Sequence, residues 1–238
     1  MEDRVNILLP VAGRAQRFLN EGYTLPKPLI DVAGVPMIQR ALKSIDVENP
    51  HYIFIVRQEH IKEHNIDVRL RDLFGESVDI VEVSQVTQGA ACSCLLAENH
   101  IDNDTPLVIF TPDCFFEPPF RPVNVSDEYD GTVGVFHSTS SAHSYVETDD
   151  NGDVTRAAEK QVISEDAVGG LYYYKKGSDF VKYSKEMIAQ GLKVNGEYYI
   201  CPVFNLLIAD GKRVSVEKQQ KHVVLGTPQD LETYIKGL

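Results

Sequence analysis

Arg14, Arg17 and Lys27 gather three cations in a short stretch of a chain whose formal charge is −12. They follow Val11-Ala12-Gly13, at the end of an apolar run, and the small side chains there let backbone N–H groups approach a ligand closely. Guanidinium and ammonium groups suit phosphate oxygens, so a local reversal of charge beside such a loop is what a polyphosphate requires. Lys27 lies between Pro26 and Pro28. The two rings restrict the backbone and hold the ammonium where one phosphate would meet it. The pattern is not a G-x-x-x-x-G-K-[ST] phosphate loop, nor a dinucleotide fingerprint, whose other glycines are missing.

Asp113 follows Leu107-Val108-Ile109-Phe110-Thr111-Pro112. That spacing puts its carboxylate at the carboxyl end of a central strand, where open α/β sheets bind ligands. A hard oxygen ligand there suits Mg2+ bridging protein and phosphate. Glu159-Lys160, taken alone, reads as an exposed charge pair. Cys92, Cys94, Cys114 and Cys201 form no C-x-x-C pair and have no His at zinc-finger spacing, so they read as small hydrophobes.

The elements that must position these groups alternate along the first half. Apolar runs over 5–11, 52–56, 78–83 and 107–110 predict buried strands; helices are predicted from Pro36 to Ile45, around 67–74 and over 89–100. Such alternation implies a mostly parallel central sheet with helices on both faces, a three-layer α/β/α architecture of Rossmann-like kind. The second half is richer in strands, over 132–136, 145–147, 154–158, 171–174 and 214–216. Asp149-Asp150-Asn151-Gly152 supplies the turn of a hairpin. Helices are expected over 178–190 with a Ser178 cap, over 197–208, and over 228–235 capped by Thr227. The simplest organisation is one domain over 1–238, with a nucleotide-binding half (1–115) and an acceptor-binding half (116–238).

The chain has 238 residues, with 35 Asp and Glu against 23 Lys and Arg. So acidic a surface repels nucleic acid and anionic membranes, which are bound through clustered cations. Met1-Glu2-Asp3-Arg4 does not open a signal peptide and no stretch is apolar for long enough to span a bilayer, so a cytoplasmic location is expected. A homodimer is the commonest state for an enzyme of this size.

Leu9 to Phe18, followed by Leu25-Pro26-Lys27-Pro28-Leu29, resembles the signature of the nucleotidyltransferases that include sugar-1-phosphate nucleotidylyltransferases and phosphocholine cytidylyltransferases. Ile30-Asp31-Val32-Ala33-Gly34-Val35-Pro36, Glu159-Lys160, Gly170-Leu171-Tyr172-Tyr173, Gly196-Glu197-Tyr198-Tyr199 and Gly226-Thr227-Pro228 match later blocks in family order. The resemblance implies the glycosyltransferase-A-like fold of nucleotide-diphospho-sugar transferases. It also implies transfer of a nucleoside monophosphate from CTP, UTP or dTTP to a phosphorylated small acceptor, with release of pyrophosphate. By the same resemblance, Val11, Ala12, Gly13 and Arg14 would hold the nucleotide and Arg17 would oppose the charge of the leaving pyrophosphate. Lys27 would contact the transferring phosphate, and Asp113 would bind the metal. Gln88, Gly89 and Ala90 would read the base, Gly89 by opening room; a helix start with small packing residues explains them equally well. Glu159, Lys160, Gly170, Asn195 and Glu197 fall on the acceptor side.

Ala15 and Gln16 replace a Gly and a hydroxyl residue of the family's loop, and Val223-Val224-Leu225 stands where many members carry a second metal-binding Asp. Either Asp113 then holds the metal with water and phosphate oxygens, or Glu197, Glu159 or Asp166 supplies that carboxylate. A sugar-1-phosphate acceptor, in the service of surface polysaccharide, is the first expectation. A CTP-dependent enzyme acting on phosphocholine or a phosphorylated amino acid is the alternative, with Tyr172, Tyr173, Tyr174, Tyr198 and Tyr199 available for an aromatic box. A glycosyltransferase would normally show Asp-x-Asp where this chain has Asp113-Cys114-Phe115; a nucleotide-binding regulatory protein is the remaining reading.

Overall fold

Alternate residues of the first strand face opposite ways: Leu8 packs into one core, while Ile7 and Leu9 pack into another. The period of two repeats in its neighbours, where Ile53, Ile55, Leu107 and Ile109 share the side of Leu8, and Phe54, Val56, Val108 and Phe110 the side of Leu9. A sheet buried on both faces follows, covered by helices on each.

The computed structural model describes residues 4–238; Met1-Glu2-Asp3, part of the stretch read as no signal peptide, lies outside the described residues. The strands are β1 (Val5–Pro10), β2 (Asp31–Val32), β3 (Val35–Pro36), β4 (Pro50–Arg57), β5 (Asp79–Val83), β6 (Leu107–Phe110) and β7 (Cys114–Glu117). They continue with β8 (Gly131–His137), β9 (Ser144–Thr148), β10 (Val154–Glu159), β11 (Asp166–Tyr174), β12 (Val214–Lys218) and β13 (Lys221–Val224). The helices are α1 (Gln16–Asn20), α2 (Met37–Ala41), α3 (Gln58–His64), α4 (Ile66–Phe74), α5 (Ala90–Leu95), α6 (Glu98–Ile101), α7 (Gly177–Ala189), α8 (Val203–Ala209) and α9 (Pro228–Lys236).

The nine-stranded sheet is parallel through β5-β4-β1-β6 and turns antiparallel at β11, which pairs with β6, β8 and β9. It therefore runs from the first half of the chain into the second without a break. Two short sheets lie outside it, β2·β3 and β7·β13. The first lies where the family resemblance implies a strand and a helix start after Pro28; the second was not expected from the sequence, and it matters for the site. The carboxyl ends of β1 and β6, adjacent in the sheet, present the loops that carry Gly13 and Asp113.

Three helix readings are corrected and one helix is added. The helix expected over 89–100 is two pieces, α5 and α6. Ser178 does not cap α7, which begins at Gly177 with no side-chain cap; a Cβ at 177 would lie 2.1 Å from the Ile101 carbonyl oxygen, so only glycine fits that approach. The helix expected from Glu197 starts instead at Val203, because Asn195-Gly196 folds the chain into a tight turn first. Finally, α3, a helix with no buried residue, is an addition. Thr227 does cap α9, its side chain and that of Asp230 each bonding the other's backbone N–H. No helix among the described residues is long and apolar enough to cross a membrane.

Candidate active site

Lys27 opens a single 3-10 turn after Pro26, with Pro28 and Leu29 buried beneath it. That anchorage aims its Nζ at two acceptors, Asp113 Oδ2 at 3.0 Å and Gly226 O at 3.2 Å, with the ring of buried Phe18 5.5 Å away. Asp113 lies in the link from β6 to β7. Its carbonyl accepts from Leu225 N at 2.7 Å, which prolongs the β7·β13 pairing up to the site and delivers Gly226 there. The carboxylate is 46% exposed and the lysine side chain 19%. So open an ion pair contributes little to stability; its value lies in where it holds the two charges.

Three cavities adjoin this pair. One of about 310 Å³ is lined by Arg14, Lys27 and Arg57, a second of about 250 Å³ by Val11, Gly13, Lys27 and Asp113. The third and largest, about 700 Å³, is lined by Arg17, Asp113, Glu159, Lys160 and Gly170, with Ala90 at its edge. The cations of the sequence reading are thus divided between walls, Arg14 beside Lys27 and Arg17 with Lys160. Ala12 is half-buried in the same loop. Arg57 was missed; it ends β4 with its side chain buried, donating Nε and Nη2 to Glu59 at 3.2 and 2.9 Å. The signal was an arginine directly after the apolar run of β4.

Glu159 is buried on the large cavity, accepts a hydrogen bond from Ser144 Oγ, and has Lys160 Nζ 3.6 Å away. Burial raises its carboxyl above the ordinary range, against the opposing pull of Ser144 and Lys160. Lys160 adopts φ 57°, a left-handed conformation uncommon for a side chain of its size, and donates to Ala142 O at 2.5 Å. Tyr172 and Tyr199 reach the cavity wall, but Tyr173, Tyr174 and Tyr198 are buried in the cores, so no box of five rings exists.

Two expectations are revised. Gly89 does not open room for a base: at φ 132° its missing side chain leaves space for the Tyr198 peptide, with Tyr198 N donating to Gln88 O at 2.8 Å and Ala91 N to Tyr198 O at 3.0 Å. Gln88 itself is exposed, its Oε1 accepting from Lys193 Nζ at 2.8 Å. Asn195 and Glu197 are exposed on the Asn-Gly turn, closed by paired backbone bonds between Val194 and Glu197, and neither lines the large cavity.

The sequence pattern of the nucleotidyl transferase family matches residues 6–232. The chain belongs to this family. The nucleotidyltransferase is 25% identical to a nucleoside-diphosphate-sugar pyrophosphorylase from Vibrio cholerae RC9, with a TM-score of 0.84 over 97% of this chain and 99% of that one. It shares its fold with the inositol-1-phosphate CTP transferase from T. maritima, 16% identical, at a TM-score of 0.75 over 99% and 97% of the two chains. The Bifunctional protein GlmU of Methanococcus aeolicus is 27% identical over 108 residues, which are 44% of this chain and 24% of that protein. The chain therefore matches only about a quarter of the length of that curated relative.

In this nucleotidyltransferase no group of three His, Cys, Asp or Glu side chains converges among the described residues. Of the carboxylates weighed as partners for Asp113, Asp166 is paired with Lys218, Glu159 is bonded by Ser144 and Glu197 stands on its turn. A different one comes close: a point one Cβ out from Gly226 lies 3.8 Å from Asp113 Oδ2 and 3.7 Å from Asp230 Oδ2. Asp230 Oδ2 accepts from Thr227 N and Oγ1 at 2.9 and 2.7 Å, leaving its other oxygen unengaged by the cap. Asp113 and Asp230 both line the large cavity, each with one oxygen outside these bonds, and two carboxylates match the sparse protein ligation magnesium uses when phosphates complete its shell.

Proposed function

We propose that this nucleotidyltransferase moves a nucleoside monophosphate from CTP, UTP or dTTP to a sugar 1-phosphate and releases pyrophosphate. The observation that carries this reading is the Lys27–Asp113 pair at the meeting of the glycine loop's cavity with the 700 Å³ cavity, where a triphosphate and an acceptor phosphate could approach each other. An acceptor phosphate oxygen attacks the α-phosphorus in line, and the bond from that phosphorus to the oxygen of the β-phosphate breaks. Positioning and charge neutralisation are most of what such a transfer needs from a protein. Lys27 orients the acceptor oxygen and the α-phosphate, Arg17 faces the phosphates from the wall of the large cavity, and Val11, Ala12, Gly13 and Arg14 hold the triphosphate and the departing pyrophosphate. Asp113 and Asp230 would hold Mg2+, which when bound neutralises phosphate charge.

Glu159, Lys160 and Gly170 shape the acceptor side, and Gln88 and Ala90 the base side. The sugar-nucleotide activity in the name of the Vibrio cholerae neighbour supports the choice of acceptor. An activated sugar of this kind would serve surface polysaccharide synthesis. The test is pyrophosphate release from each nucleoside triphosphate with Mg2+ and a panel of sugar 1-phosphates, phosphocholine and phosphorylated amino acids. Release with a sugar 1-phosphate alone supports the reading; release only with phosphocholine transfers it to the cytidylyltransferase alternative.

A further inference from the structure

One wall of the large cavity is a stack of rings that none of the roles above uses. His222 lies parallel to Phe136, their centroids 4.0 Å apart and their planes 8° from parallel, and His143 meets Phe136 edge-on at 5.1 Å. Beneath the stack sits Gln219, only 6% exposed, whose Oε1 accepts from His222 Nδ1–H at 2.7 Å. Its slot exists because two neighbours are glycines. A Cβ on Gly169 would lie 2.0 Å from Gln219 Oε1, and one on Gly134 2.4 Å from its Nε2. The Gln219 backbone is fixed as well, its N–H donating to Val135 O at 2.8 Å.

The slot comes with an unfavourable feature. Gln219 Nε2 has no hydrogen-bond partner among the described residues, and an orphaned buried donor is destabilising. A methionine or leucine of similar length would leave no orphan. What the amide supplies, and they cannot, is the oxygen that fixes the imidazole. A neutral imidazole carries one N–H; with Nδ1 donating to Gln219, the lone pair is on Nε2, which has no protein partner among the described residues. Burial and the neighbouring His143 keep the ring neutral, its pKa lowered to about 4, with only Asp113 pulling the other way.

We infer that Gln219 locks His222 as a hydrogen-bond acceptor facing the large cavity, where it selects an acceptor substrate that presents an O–H or N–H, such as the hydroxyl or acylamino group of a sugar. A phosphate, itself an acceptor, is repelled by that lone pair, and a quaternary ammonium has no hydrogen to offer it. The inference rests on reading this cavity as the acceptor site, and its first test does not depend on turnover. Long-range 15N–1H correlation on the 15N-labelled protein at pH 7 is expected to show His222 protonated at Nδ1 and bare at Nε2, and to lose that preference in Q219L. A ring protonated at Nε2 in the unmodified protein overturns the inference, whatever the activity assays find.

The second test uses pyrophosphate release with glucose 1-phosphate and with phosphocholine as probes. H222F keeps the stack and removes both nitrogens; it is expected to raise KM for glucose 1-phosphate about tenfold, more than it lowers kcat, with KM for the triphosphate unchanged. H222Q, which places a polar atom near the Nε2 position, is expected to recover part of that loss. An unchanged KM in H222F overturns the inference while leaving nucleotidyl transfer standing. Absence of turnover with every acceptor would count against the functional reading alone, and the tautomer measurement would still decide this one.

Discussion

Gly89 and Tyr198 are joined backbone to backbone, closely enough that a Cβ on the glycine would fall 2.4 Å from the tyrosine carbonyl oxygen. Because that oxygen belongs to a peptide and not to a flexible side-chain tip, it cannot swing aside. Gly89→Ala is expected to destabilise the protein by about 3 kcal/mol, through the clash and the φ of 132° together. Equilibrium unfolding in urea measures it; a loss under 1 kcal/mol would show that the 88–91 segment can move away from Tyr198.

Lys27→Ala and Asp113→Ala are each expected to lower turnover by about 100-fold or more, while changing unfolding free energy by no more than about 1 kcal/mol. The disparity follows from the exposure of the pair, which lets water take over when either charge is removed. Pyrophosphate release and thermal melting, run on the same preparations, separate the two effects. Near-normal turnover in either variant would remove that residue from the transfer step.

Thr227→Ala removes the cap of α9 and one of the bonds that hold Asp230. A loss of about 1 kcal/mol is expected, which for a chain of this size lowers the melting temperature by roughly 2–4 °C. If Asp230 shares a magnesium ion with Asp113, the same variant also needs more Mg2+ for half-maximal rate, and a magnesium titration checks this directly.

Acid sensitivity has an identifiable source. The unfolded chain protonates His222 near pH 6.5, whereas the folded protein resists until about pH 4. The unfolded state therefore binds more protons between those values, and stability is full above pH 6.5 and falls as the pH drops toward 4. His222 accounts for about 2–3 kcal/mol of that fall. Glu159, with its carboxyl raised by burial, acts in the opposite sense, favouring the folded state as it takes up a proton. Comparing urea unfolding of the unmodified protein with H222F at pH 7.5 and pH 4.5 isolates the histidine's share; equal pH dependence in the two would refute it.

The strands of the main sheet were readable because burial on both faces writes continuous apolar runs such as Leu107 to Phe110. The hairpin at Asp149 to Gly152 was readable because its turn chemistry is local, with Gly152 N donating to Asp149 O. What stayed hidden was non-local. Cys114-Phe115-Phe116-Glu117 pairs with a strand about a hundred residues away, and no pattern within either segment announces the other. The same limit concealed Gly89, whose reason for being glycine is a peptide in the other half of the chain. Arg57 and Gln219 went unnoticed for a different cause, since a polar residue at a strand end reads as solvated until its neighbours are seen. Lys27 and Asp113 were singled out one by one from the signature and the strand-end position, but their 3.0 Å separation was beyond sequence spacing.

The bond from Lys27 to Gly226 spans 199 residues, and the short sheet β7·β13 that brings Gly226 to it uses a strand made after every strand of the main sheet. During synthesis the glycine loop, Lys27 and Asp113 emerge first, yet they wait for residues beyond β12 before the ammonium finds its second acceptor. Phosphate-binding competence should accordingly trail sheet formation on the ribosome, and a nascent or clipped chain ending near Val216 would display the loop's cations without the carbonyl that helps to aim them.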